Sequence, residues 1–176
     1  MIIIFWVCTV ICAVLDRLTK VLAEEHIHGM TPVIRIGGKD IFWFSITHNT
    51  GAAFSSFSGR TTALSVFTVI MLLAIIVYFH KQKDKNVFTS VVFGMITGGG
   101  LGNLFDRIAY GKVTDFLNLF PFTFIFNVAD VFVVIGAILL IIYMMFFEKK
   151  DGYTPEGDIP DVMYGPPSDD EEDIDG

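Results

Sequence analysis

Residues 125–147 read IFNVADVFVVIGAILLIIYMMFF. From Val131 onward nothing in this stretch resists lipid, and its length meets the roughly 20 mostly apolar residues that a helical span requires. Asn127 and Asp130, at its head, do resist lipid. A charged group at bilayer depth costs roughly 2.5–3.5 kcal/mol on insertion scales, so such groups face a bundle interior or a wet cavity. Three further stretches, near 2–22, 62–79 and 87–104, are also apolar enough to span, and the fourth span is placed at 124–147. The chain has 176 residues, 53% of them hydrophobic, against about 45–50% in soluble domains. One membrane domain over 1–147 is expected, with an outer segment near 23–61 and a separate tail over 148–176.

Charge divides the chain in the same way. The formal net charge is −7, yet residues 151–176 hold ten acids and no Lys or Arg, leaving nine acids and twelve bases in the rest. The tail is rich in Pro, Gly and acid and is expected to be disordered, because it cannot bury enough apolar surface to fold. Lys81, Lys83 and Lys85 lie between the second and third spans, and Lys149 and Lys150 follow the fourth. The positive-inside rule puts both clusters, and so both termini, in the cytoplasm. No Lys or Arg precedes the first apolar core, so the first span is read as retained rather than cleaved.

With this topology the unusual polar residues gather toward the outer face. Asp16, Arg17 and Lys20 lie in the outer half of the first span, Asn103, Asp106 and Arg107 end the third, and Asp115 lies in an outer loop before Asn127 and Asp130. Asp16 and Lys20 are four apart and share a helix face, so a buried ion pair is expected, with Asp106 in a further structural salt bridge. The outer segment alternates in VIRI and IFWFSIT, with Gly-Gly-Lys-Asp between, which predicts a small sheet or hairpin. The second span carries no charged or amide side chain before His80 and is read as scaffold. Gly98, Gly99, Gly100 and Gly102 allow close helix approach. They do not read as a phosphate loop, since no strand precedes and no Lys-Ser/Thr follows. Cys8 and Cys12 are read as small apolar residues of one helix face.

Asp115 and Asp130 leave two readings open. Carboxylates that meet at a partly desolvated surface share one proton; the ionised member can then take a proton from water while the other donates one to a substrate carbonyl. Alternatively they are two separate structural acids. A small transporter or proton relay is a competing function, since intramembrane carboxylates also carry protons, but the inner halves of the spans are nearly bare of polar groups. Zinc held by His26, His28 and His48 lacks a supporting ligand spacing, and no basic stripe suggests nucleic acid.

Five short motifs occur in order: DRLTK (16–20), NTGAAF (49–54), GGGLGNLFDR (98–107), VTDF (113–116) and FNVAD (126–130). Together, on four spans, they resemble the prolipoprotein signal peptidases, the bacterial signal peptidase II family. The resemblance implies four transmembrane helices with a small extracytoplasmic β-cradle and a short interfacial helix. It implies an aspartic endopeptidase of the bacterial cytoplasmic (inner) membrane, with its site on the outer face. Its substrates would be diacylglyceryl-modified prolipoproteins, cut just before the lipidated cysteine. Asp115 and Asp130 would be catalytic, and Asn49, Gly51, Asn103, Arg107 and Asn127 would bind substrate. Asp16, Lys20 and Asp106 would form a polar framework. The resemblance further implies a monomer in contact with membrane lipids, blocked by globomycin-type inhibitors and using no cofactor, metal or nucleic acid.

Overall fold

The structure, a computed structural model, describes residues 1–50, 60–122 and 124–146, apart from the side chain of residue 60. The expectations for Gly51 and for the tail fall outside the described residues. Seven elements follow in order: α1 (Ile2–His26), β1 (Thr31–Ile36), β2 (Lys39–Asn49), α2 (Arg60–Lys81), α3 (Val87–Tyr110), β3 (Val113–Leu119) and α4 (Val128–Phe146). All four helices are long and apolar enough to cross a membrane, and the three strands form one antiparallel sheet in the order β1-β2-β3. Among the described residues there is no separate short interfacial helix.

The helix bounds differ from the sequence expectation in an informative way. α1 runs past residue 22 because the charged Glu24 and Glu25 prolong a helix as well as apolar residues do. α3 continues through the polar NLFDR to Tyr110 and stops at Gly111, whose φ of 67° only glycine adopts readily. α4 starts late, at Val128, because Phe126 pairs with Leu117 of β3 and keeps its segment extended.

α3 is the core of the bundle. In its membrane window 67% of residues are buried, against 22% in α1 and 11% each in α2 and α4. Three successive glycines let three helices approach it. A Cβ at Gly98 would stand 2.5 Å from Thr9 O on α1, and one at Gly99 would stand 2.5 Å from Ala129 O on α4. One at Gly100 would stand 2.7 Å from Leu72 Cδ2 on α2. Consecutive helical residues point about 100° apart, so three small residues in a row clear three directions. Cys8 and Cys12 are free thiols with Sγ atoms 4.0 Å apart, packed where Gly94 and Gly98 open the α1–α3 contact.

Both connections that carry strands leave the same end of the bundle, since β1 and β2 join α1 to α2 and β3 joins α3 to α4. The start of α1, the end of α4 and the α2–α3 turn lie at the other end. Gly37 and Gly38, with φ of 57° and 77°, form the tight hairpin turn between β1 and β2. One expectation needs correction: Asp115 lies on a strand, not in a loop. β3 pairs with β2 along Asn49↔Val113, His48↔Thr114 and Thr47↔Asp115, and it is almost wholly buried. Burial on both faces removes the polar alternation by which an exposed strand is recognised.

Candidate active site

The buried ammonium of Lys20 organises the polar end of the bundle. Its Nζ donates to Asp16 Oδ2 at 2.8 Å and to Asn103 Oδ1 at 2.9 Å, and pairs with Asp106 Oδ2 at 2.8 Å. Asp16 and Asn103 accept hydrogen bonds from it, while Asp106 Oδ2 meets the ammonium as an ion pair without hydrogen-bond geometry. Lys20, Asp16 and Asp106 have side chains no more than 2% exposed, so the expected i,i+4 pair is present and Asp106 joins it. Asp106 also faces Arg17 at 3.4 Å. Asp16 spends its other oxygen on α4, where Oδ1 accepts from Ala129 N at 2.9 Å.

That contact seats the N-terminus of α4, which is capped a second time from within. Asn127 N donates to Asp130 Oδ2 at 3.2 Å, and Asp130 N donates to Asn127 Oδ1 at 3.0 Å. This reciprocal pairing is a capping box. The FNVAD segment therefore starts the helix and aims its carboxylate with the same atoms.

Two asparagines then tie the carboxylates together. Asn103 presents Oδ1 to Lys20, which can only donate, and Nδ2 to Asp130 Oδ1 at 2.7 Å, which accepts. Those partners dictate which way its amide faces. Asn127 donates from Nδ2 to Asn103 Oδ1 at 3.0 Å and to Asp115 Oδ1 at 2.6 Å. Asn49, at the end of β2, donates to Asp115 Oδ2 at 3.1 Å. The chain of contacts runs from Lys20 through Asn103 to Asp130 and through Asn127 to Asp115.

Burial pushes the Asp115 carboxyl up to about 6. The donor from Asn49 opposes this, the negative charge of Asp130 adds to it, and Asn127 and Lys20 pull it down. Asp130 is less buried than Asp115. It borders two cavities. One, of about 450 Å3 between α2, α3 and α4, has Asn103, Arg107 and Asp130 at its polar end above Leu72, Ile96 and Val133. The other, of about 260 Å3, is lined by Leu119, Phe122, Phe124, Phe126 and Val131 beside Asp130.

Nine of the ten residues singled out from sequence are described. Seven of them belong to this one hydrogen-bonded network, and Asp106 joins it through its ion pair with Lys20. Arg107 borders it, with Nη1 donating to Asn103 O at 3.4 Å and its side chain directed away from neighbouring Asp106 into the larger cavity. Gly51 lies outside the described residues.

The sequence profile of the signal peptidase (SPase) II family matches residues 8–146, which contain this network. The chain belongs to the signal peptidase II family. It is therefore a peptidase and, with four membrane-length helices, a multi-pass membrane protein. It is 37% identical over 145 residues to the lipoprotein signal peptidase of Clostridium acetobutylicum, covering 78% of this chain and 91% of that one. To the lipoprotein signal peptidase of Halothermothrix orenii it is 38% identical over 146 residues, covering 82% and 97%. A bacterial membrane enzyme solved by the in meso method at 1.9 Å resolution superposes with a TM-score of 0.70 at 29% identity, covering 81% of this chain and 92% of that one.

One group near the peptidase's site escaped the sequence. Glu24 Oε1, in the last turn of α1, accepts from Thr114 Oγ1 at 2.7 Å and lies 3.2 Å from His48 Nε2. It pins the strand positions next to Asn49 and Asp115 to α1. Nothing in the local pattern of AEEH marks Glu24 over Glu25.

Proposed function

We propose that this peptidase is an aspartic endopeptidase acting on diacylglyceryl-modified prolipoproteins at the outer face of the bacterial cytoplasmic membrane. It removes the signal peptide by cutting just before the lipid-bearing cysteine. The observation that carries this reading is Asn127, which donates from its side chain to Asp115 and from its backbone to Asp130. One residue thus holds both carboxyl groups in register.

The two acids differ in setting, and this divides their work. Asp115 is buried and pushed up to about 6, which suits the protonated member that donates to the scissile carbonyl. Asp130 sits in the first turn of α4, where the helix macrodipole accommodates negative charge, and accepts from Asn103 and Asn127. It suits the base that takes a proton from water. As the water oxygen adds to the carbonyl carbon, the proton from Asp115 neutralises the carbonyl oxygen. As the tetrahedral centre collapses, Asp130 passes the proton it took from water to the cysteine nitrogen and a hydroxyl proton returns to Asp115, which releases the amine and restores both acids. Arg107 and Asn103, at the polar end of the larger cavity, offer N–H donors to the substrate backbone, while the apolar wall below accepts lipid or apolar side chains. The lysines of the α2–α3 turn keep that end cytoplasmic, which leaves the sheet and the dyad outside.

The test is cleavage of a purified diacylglyceryl-modified prolipoprotein by the detergent-solubilised protein. The parent should cut it, and Asp115→Asn and Asp130→Asn should each be inactive at equal folded protein. Cleavage by either variant at the parent rate refutes the dyad. Cleavage of the unlipidated precursor at the same rate refutes the substrate class.

A further inference from the structure

A second feature at the same membrane level lies on another face of α3. Arg17 projects from α1 among residues that face outward: Val10, Val14, Leu18, Val21, Phe105 and Ile108 are all exposed. In a membrane that surface meets lipid. Arg17 is nevertheless 38% exposed, and a cation in such a place needs an anionic or polar partner. Its partners among the described residues are two. Nη1 donates to Asp106 Oδ1 at a long 3.4 Å, and Nη2 donates to the Tyr110 hydroxyl at 2.9 Å. The other oxygen of Asp106 is taken by Lys20. A guanidinium carries five N–H donors, and these two contacts use two of them.

The group is also held in place. Its central carbon stands 4.7 Å from the Tyr110 ring centroid and 5.8 Å from that of Phe105, in the geometry of a cation over aromatic faces. Tyr110 is the last residue of α3, so Arg17 is level with the end of that helix, the depth at which tyrosines collect at a bilayer interface. Directly beneath lies a groove of about 340 Å3 between α1 and α3, lined by Ala13, Val14, Leu101, Gly102 and Phe105 with Arg17 at its head. It shares no residue with either cavity at Asp130.

We propose that this groove is a binding site for one membrane glycerophospholipid, whose phosphate accepts from Arg17 while one acyl chain lies against Val14 and Phe105. A planar guanidinium matches the fork of two phosphate oxygens. Ala13 and Val14 on α1 and Leu101 and Phe105 on α3 form an apolar trough in which a hydrocarbon chain can lie, while the space beside Gly102 is filled by the Asp16 carboxylate. Such a lipid clamps α1 to α3 beside the Lys20 cluster without entering the peptidase site.

The test is thermal unfolding of the delipidated full chain in detergent with added lipid. Phosphatidylglycerol at saturation should raise the midpoint by roughly 5 °C or more. Phosphatidylcholine, with the same phosphate, should shift it in the same direction. Diacylglycerol, which lacks the phosphate, and inorganic phosphate, which lacks the chains, should leave it unchanged. Arg17→Gln should lose the phospholipid shift. Val14→Phe, which fills the groove and leaves Arg17 with Asp106, should lose it too, and it decides the matter if Arg17→Gln does not fold. A shift with diacylglycerol or inorganic phosphate equal to that with phosphatidylglycerol overturns the proposal. So does a parent-sized phospholipid shift in Val14→Phe or in folded Arg17→Gln.

Discussion

Replacing Lys20 by Met tests the polar framework directly. The substitution removes one ammonium from between Asp16 and Asp106 and leaves two carboxylates with side chains at most 2% exposed. It also removes one of the two donors that set the Asn103 amide, leaving Asn127. Breaking a buried pair on one side costs about 3–5 kcal/mol, because the remaining charge is uncompensated. At this chain length that corresponds to a fall of roughly 6–20 °C in unfolding midpoint. The assay is thermal unfolding in detergent, followed by cleavage of the lipid-modified precursor below the lowered midpoint. A companion variant, Asp16→Asn/Lys20→Met/Asp106→Asn, removes the charges together and should recover much of the lost stability, since the penalty lies in the orphaned charge. It should not recover activity in full, because Asn103 Oδ1 is then held by Asn127 alone and its amide is less firmly aimed at Asp130. A Lys20→Met midpoint within about 2 °C of the parent refutes the reasoning, as would a triple variant no more stable than Lys20→Met.

Other consequences follow from the same geometry. With Asp115 acting as the acid and its carboxyl near 6, kcat/KM should fall as pH rises through about that value. Asn49→Ala removes a donor that favours the ionised form, so this limb should move to higher pH; movement to lower pH contradicts the assigned roles. Stability should respond to the same group. Its raised value makes its contribution full at low pH and lost as pH rises through about 6. The Asp115→Asn variant should therefore gain stability relative to the parent between pH 4 and 7, and an unchanged difference across that range counts against burial as the cause. Gly98→Ala would place a methyl against Thr9 O and Cys12 Cβ. It should destabilise by about 1–3 kcal/mol as an overpacked contact, and a parent-like unfolding midpoint excludes so close an α1–α3 approach.

Several features of the fold were legible because lipid makes them local. A bilayer admits few irregular spans, so hydrophobic runs alone mark four helices. Gly37-Gly38 marks the hairpin turn for a comparably local reason: the backbone there needs positive φ. The Asp16–Lys20 pair is visible because i and i+4 share a helix face. β3 was missed because its pattern comes from what buries it. Its sequence VTDFLNL has no solvent face and so no alternation to read. Helix ends were missed for a related reason, as charged residues such as Glu24 and Asp106 stay helical while facing partners rather than lipid.

The sequence by itself determined the number of spans, their order, the family and which polar residues cannot be left in hydrocarbon. Each of those facts depends on composition or on residues a few positions apart. Only the tertiary structure decided that those polar residues form one network. Asn49 reaches Asp115 across 66 positions, and Asp16 reaches Ala129 across 113. Contacts so distant in the chain arise from strand register and helix packing around α3. No local pattern records them, because the energy that fixes them belongs to the assembled bundle.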